Sequence, residues 1–279
     1  MTDLKNSLQI SHSIFADDIK FFGNPLSQSQ AIQGGLDDIF DWTKQWLLSL
    51  NVNKCTILHI GKKNPHITYS LGQQQLMPVV TQKDLGVTIS YDLKWECHIM
   101  NIVKKANSML YLVRKSFKCL SPRTLLKIYK CYIRPILEYA YSIWDPYFIK
   151  DISMLERVQR KATKMIRSFR KKSYNERLKA LDLTDLGSRR LRGNLIETYK
   201  ILTGHYNVPG IEKLFILSEN THLRGSSLKL KTTQHNTNSL KNFLPNRVVA
   251  DWNRLPESVI SAPSVNTFKN RLDKFLQIP

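Results

Sequence analysis

Ile10-Ser11-His12-Ser13-Ile14-Phe15-Ala16-Asp17-Asp18-Ile19-Lys20-Phe21-Phe22 is the stretch on which the reading of this chain turns. Two short apolar runs of β type, residues 10–15 and 19–22, flank two adjacent carboxylates. That layout predicts a hairpin with an acidic turn. Such a turn can present Asp17 and Asp18 to a divalent cation, because magnesium is a hard, oxygen-seeking ion that carboxylates suit. Metals held this way serve phosphoryl and nucleotidyl transfer. The pair also has a plain alternative, since Asp-Asp is common in turns. Asp37-Asp38 illustrates it, falling in a helical stretch where it reads as solvated surface. The motifs downstream of Asp18 therefore decide how much weight the pair carries.

Outward from the hairpin, residues 1–92 read as mixed α/β. Leu26-Ser27-Gln28 opens a helix predicted to reach about residue 50, with Ile32, Leu36, Ile39, Phe40, Trp46, Leu47 and Leu50 at helical spacing. Gly34-Gly35 weakens its early turns. Residues 55–60 read as a strand, 66–80 as a loose hairpin around Gly72, and 83–89 as one more strand. From about residue 93 the pattern becomes helical. A helix is expected over 95–117. A second runs from the cap Ser121-Pro122 to Trp144, kinked at Pro135. A third covers roughly 151–169. Three long helices with short links predict a bundle. Beyond it come a short helix over 174–181, a longer one over 189–206, an irregular segment 207–239 in which 224–232 could be a strand or an extended arm, and two helices over about 240–252 and 264–276, the last capped by Ser264. The expected class is α+β, predominantly helical.

Charge divides the chain more sharply than any apolar pattern. The formal net charge is +20, yet residues 1–100 hold 8 Lys/Arg against 9 Asp/Glu. Residues 104–172 hold 18 basic and 4 acidic side chains, a net of +14. Such asymmetry favours a polyanion, most simply nucleic acid, over a basic protein with no specific partner. Lys104 and Lys105 open this segment. In the third helix Arg157, Arg160, Lys161, Lys164 and Arg167 share a face opposite Leu155, Val158, Ala162, Met165 and Phe169. No acidic residue interrupts that stripe between Arg157 and Lys172. It reads as the solvated side of an amphipathic helix or as a phosphate-contacting face, and the unneutralised repulsion favours phosphate.

The four cysteines are scattered and the histidines show no zinc spacing, so buried thiols in a reducing compartment are expected. No apolar run approaches the roughly 18 residues of a membrane span. The start of the chain has no signal-peptide character, and a cytoplasmic or nuclear location is expected.

Taken in order, the motifs resemble the later palm, thumb and carboxyl-terminal motifs of non-LTR (LINE-type, jockey- and CR1-like) retrotransposon reverse transcriptases. Phe15-Ala16-Asp17-Asp18, then Asn51-x-Asn53-Lys54-Cys55, resembles the palm. Lys83-Asp84-Leu85-Gly86-Val87 is similar to the strand motif associated with the primer. Arg134-Pro135-x-Leu137-Glu138-Tyr139-Ala140 with Trp144, and Glu156-Arg157-Val158-Gln159-Arg160-Lys161-Ala162-Thr163, resemble the thumb and the helix after it. Asn246-Arg247-Val248-Val249-x-Asp251-Trp252-Asn253-x-Leu255-Pro256 resembles the carboxyl-terminal signature.

The resemblance implies a partial palm over 1–92, a basic helical thumb over 93–172 and a helical carboxyl-terminal region over 173–279. It implies Asp17 as a ligand of catalytic Mg2+, Asp18 as a second and less strictly required one, and Lys54 beside the pyrophosphate leaving group, a lysine that reads equally as a solvated turn residue. It implies an RNA template and DNA primer, or their hybrid, as partners, with deoxynucleoside triphosphates used only by the intact enzyme. The family's other palm aspartate and its fingers lie upstream of the acidic hairpin. Asp3, outside any apolar strand, is not read as the missing ligand. The expectation is a portion of a longer polymerase, inactive by itself, or a nucleic-acid-binding remnant with no catalytic role.

Overall fold

A computed structural model describes residues 10–208, 210–218 and 228–277. Asp3 and residues 224–227 of the expected arm lie outside the described residues. The chain divides into two compact units, Met1–Lys94 and Trp95–Pro279. It is α+β and predominantly helical, with every strand pairing among the described residues two-stranded.

In the first unit, β1 (His12–Phe15) and β2 (Asp18–Phe21) form an antiparallel hairpin in which Phe15 faces Asp18. The turn is Ala16-Asp17, and Ala16 takes φ 52°. A positive φ at the first turn position is the type II′ pattern, whose twist matches the flanking strands. An alanine there costs about 1 kcal/mol against glycine. The hairpin seats on α1 (Pro25–Gln45) at Gly35, where a Cβ would lie 2.7 Å from Ile10 Cγ2 and 3.4 Å from the Phe21 ring. The glycine that weakens the helix is thus what lets the strands approach it.

Asn24 caps α1 by accepting from the Leu26 N–H at 3.1 Å, and Pro25 fills the first turn. The helix ends five residues earlier than the apolar spacing predicts. Leu47 turns to φ 53°, so Trp46 and Leu47 are 57% and 94% exposed, and Thr43 occupies the buried position instead. The core of this unit is Leu36, Ile39, Tyr69, Leu71 and Leu76.

Short strand pairs complete the unit. β3 (Thr56–Leu58) pairs in parallel with β6 (Met77–Val79), and β4 (Ser70–Leu71) pairs with β5 (Gln74–Gln75). Gln33 of α1 donates to the Ser70 carbonyl at 2.9 Å and accepts from the Ser70 N–H at 3.0 Å, so one side-chain amide satisfies an edge that lacks a strand. Residues 83–89, read from sequence as one strand, instead belong to a hairpin of β7 (Thr81–Asp84) and β8 (Val87–Ser90). Leu85 and Gly86 hold φ 42° and 87°, the type I′ pattern of a two-residue turn.

In the second unit, α2 (Glu96–Ser116) and α6 (Ile149–Lys164) lie side by side. Lys150 pairs with Glu96 at 2.7 Å, and Lys161 Nζ donates to Asn107 Oδ1 at 3.2 Å. Both contacts join residues 54 apart, so the two helices run parallel. Their inner faces are Ile99, Ala106, Leu110 and Val113 against Leu155, Val158 and Ala162, all buried.

Between them the expected helix to Trp144 is interrupted. α3 (Pro122–Ile128), capped by Ser121, passes through a widened π turn at Tyr129–Ile133 into α4 (Arg134–Glu138). Pro135 has no N–H to give the carbonyl four residues back, and the wider turn absorbs that loss: Arg134 N–H reaches Tyr129 C=O, five residues back. Ala140 at φ 54° then breaks the chain before α5 (Tyr141–Trp144). Trp144 is fully buried and donates to the Tyr139 carbonyl at 2.7 Å.

After α6, a short 3-10 turn (Arg167–Phe169) leads to α7 (Tyr174–Ala180), fixed by a Ser173/Glu176 capping box, and to α8 (Leu186–Leu202), capped by Asp185. The helix expected over 240–252 is three short ones, α9 (Asn238–Lys241), α10 (Leu244–Arg247) and α11 (Val249–Asn253). α12 (Glu257–Ile260) and α13 (Val265–Leu276), capped by Ser264, complete the helices among the described residues. Tyr199, Phe268 and Trp252 stack at the centre of this core, with ring centroids 4.2 and 6.0 Å apart. Trp252 Nε1 donates to the Leu228 carbonyl at 2.8 Å. The Asn253 amide pairs with both backbone groups of Leu230 at 2.9 Å. Leu230 in turn bridges Leu217, so this part of the irregular segment is an extended arm clamped by α11.

Candidate nucleic-acid interface

The acidic hairpin presents both of its carboxylates to solvent. Asp17 is the second turn residue and Asp18 the first of β2; both are exposed, as is Phe15. Lys20, two residues along the same strand face as Asp18, pairs with Asp84 of the β7–β8 hairpin at 2.5 Å. Lys54 ends a one-turn 3-10 helix (Val52–Lys54) and is exposed. Among the described residues no hydrogen bond or ion pair joins Lys54 to Asp17 or Asp18. No group of three or more His, Cys, Asp or Glu side chains that could hold a metal occurs among them either. Among the described residues, two exposed carboxylates are a donor set too small to fit a two-metal centre.

The basic residues are gathered far better than the acidic ones. Arg157, Arg160, Lys161, Lys164 and Arg167 are all exposed, as are Lys104 and Lys105 on the neighbouring α2. Within α6, Arg157, Lys161 and Lys164 follow one line at helical spacing, while Lys104, Ser108, Tyr111 and Lys115 follow another along α2. The Lys161–Asn107 bond ties the two lines together. Arg160 rests its guanidinium 4.7 Å above the Tyr174 ring, and Arg167 leans on the Lys118 carbonyl at 3.5 Å. These contacts orient the cations and leave their charge intact. None of the seven makes an ion pair among the described residues.

Where the acidic side chains of this segment go explains why. Glu138 forks onto Arg189, with a 3.0 Å contact, and meets Arg134 at 3.7 Å. Asp145 accepts from Arg190 and Asn194 at 2.8 Å each and lies 3.5 Å from Arg247. Asp151 is only 2% exposed, and burial pushes its carboxyl up. Glu156 accepts from the Tyr174 hydroxyl and from the Leu186 N–H at 3.0 Å. Gln159 extends that network, accepting from the Tyr129 hydroxyl and donating to the Thr184 carbonyl at 2.9 Å. Burial raises both phenols, and Glu156 raises Tyr174 further, so both stay protonated as donors. Three of the four carboxylates of residues 104–172 are therefore spent on internal joints, and the fourth, Asp151, is buried. None of them neutralises the exposed cations of this face.

Sequence reasoning missed these joints and Tyr111. Arg189, Arg190, Asn194 and Arg247 lie 45 to 102 residues from the Glu138 or Asp145 they meet, beyond any local pattern. Tyr111 carried a weak signal, an aromatic interleaved with Lys104 and Lys115. No helix among the described residues is long and apolar enough to cross a membrane. Comparison with known protein families, curated proteins and solved structures gave no match.

Proposed function

We propose that the helical unit binds nucleic acid through the face made by α2 and α6, gripping the sugar–phosphate backbone without reading sequence. The observation that carries this is the sorting of charge. Within residues 104–172 every acidic side chain turns inward, and the cations Lys104, Lys105, Arg157, Arg160, Lys161, Lys164 and Arg167 stay outside with no ion-pair partner among the described residues. A backbone phosphate supplies the missing anion. The ordered motifs support descent from a non-LTR reverse transcriptase, whose partners would be an RNA template, a DNA primer and their hybrid. In an intact enzyme of that type Asp17 and Asp18 would be magnesium ligands, Lys54 would sit beside the leaving group, and deoxynucleoside triphosphates would be substrates.

The incomplete donor set favours binding without synthesis for this chain alone. The test is direct. Purified chain is titrated into labelled RNA–DNA hybrid at low salt, then supplied with primed template, magnesium and deoxynucleoside triphosphates. Salt-sensitive binding with no primer extension is expected. Template-directed extension would overturn the separation of binding from catalysis, and absence of binding at low salt would overturn the interface itself.

A further inference from the structure

A shallow groove on the surface of α2 is lined by Lys104, Asn107, Ser108, Tyr111 and Leu112. Its floor is unusual for a phosphate-binding surface. Tyr111 and Leu112 are 57% and 56% exposed, and Lys115 Nζ hovers 5.3 Å above the Tyr111 ring. Lys104 lies two turns before Tyr111 and Lys115 one turn after, about 10 Å and 6 Å along the helix axis. Lys161 of α6 donates to Asn107, one of the lining residues. An accessible ring with Lys104 and Lys115 before and after it on the helix, and Lys161 tied to the neighbouring Asn107, suits a ligand that offers a flat π-face and negative charge together.

We infer that Tyr111 is a stacking platform for a base of an unpaired nucleic-acid strand, with Lys104, Lys115 and Lys161 on the flanking phosphates. This rests on the backbone-binding reading above and adds to it the kind of strand the groove takes. A paired base in a hybrid is already stacked, and exposing its face to a ring on a convex helix costs a few kcal/mol. An unpaired base offers that face freely, and every base has one. The ring therefore contributes to single-stranded binding and not to duplex binding. Leu112 widens the apolar floor without adding charge preference.

Tyr111→Ala, Tyr111→Phe and the wild-type chain separate the two claims. Each is titrated into a labelled single-stranded RNA of about 12 nucleotides and into a matching RNA–DNA hybrid. Tyr111→Ala is expected to weaken single-strand binding by roughly five- to one-hundred-fold, the weight of one base–aromatic stack, and to leave the hybrid unchanged. Tyr111→Phe keeps the ring and is expected to bind as wild type. Tyr111 is on the surface, so an unchanged thermal midpoint shows that the variants fold. Loss of both ligands together, or of neither, with the wild type binding both, overturns the platform alone. Failure of the wild type to bind either ligand at low salt overturns the backbone reading as well.

Discussion

Neutralising the α6 stripe tests the interface quantitatively. The perturbation is Arg157→Gln, Arg160→Gln, Lys161→Gln and Lys164→Gln in one chain. All four side chains are exposed and none makes an ion pair among the described residues, so folding should move by no more than about 0.5 kcal/mol. The binding consequence comes from counterion release, at about 0.9 ions per phosphate neutralised on duplex. If all seven cations of the face meet phosphate, the slope of log K against log salt is about −6, and affinity drops roughly 6,000-fold between about 50 and 200 mM salt. With three contacts left the slope is about −2.7 and the drop about 40-fold. Fluorescence anisotropy on a labelled hybrid across a salt series reads the slope directly. A quadruple variant with the wild-type slope would take α6 out of the interface and return its charge to simple solvation.

Three structural predictions share the same melting assays. Asp145→Ala strands Arg190, Arg247 and the Asn194 amide in a nearly buried site; about 3–5 kcal/mol should be lost, lowering the midpoint by roughly 10 °C, and a loss under about 1 kcal/mol would show the joint to be solvated. Gly193→Ala should destabilise although alanine favours the helix by about 1 kcal/mol, because its Cβ would lie 1.5 Å from the Tyr141 hydroxyl oxygen; a stabilised variant would refute that close approach. His98, 2% exposed against Trp144, is lowered by burial to about 4. The unfolded chain takes up this proton near pH 6.5 and the folded one does not, so stability should fall by up to about 3 kcal/mol as pH drops from about 6.5 towards 4. Urea melts of His98→Gln should lack that component, and a wild-type minus variant difference that stays flat with pH would refute it.

What could be read from sequence was set by short-range physics. The acidic hairpin, the Ser121-Pro122 and Ser264 caps and the division of α6 into apolar and basic faces depend on residues within one or two turns of each other, and they stand in the structure as expected. The misses have equally definite causes. Residues 83–89 read as one strand on the weight of Val87-Thr88-Ile89, although Asp84 and Gly86 are residues that favour a turn. The helix expected to Trp144 was charged with a kink at Pro135, whereas a π turn and a left-handed Ala140 divide it. At the candidate site, the exposure of the cations was legible from spacing, but their assembly with Lys104 was not. That depends on the parallel contact between α2 and α6 and the Lys161–Asn107 bond.

The sorting of charge on α6 is informative because no face of that helix is idle. Leu155, Val158 and Ala162 are buried in the bundle, and Glu156 and Gln159 reach into the joints with Tyr129, Tyr174 and Leu186. Thr163 accepts from the buried Arg177 at 3.0 Å. Only the remaining face is free to vary, and it holds Arg157, Arg160, Lys161 and Lys164. Solubility alone would be served better by mixed signs. A glutamate at the position of Arg157 would sit four residues before Lys161 and add a few tenths of a kcal/mol to the helix, where the present like charges subtract a similar amount. The motif Glu156-Arg157-Val158-Gln159-Arg160-Lys161-Ala162-Thr163 thus sets an acid and two neutral polar groups inward and keeps cations outward at a cost to the isolated helix. Helix stability does not account for that choice; the proposed polyanion lying along the face would.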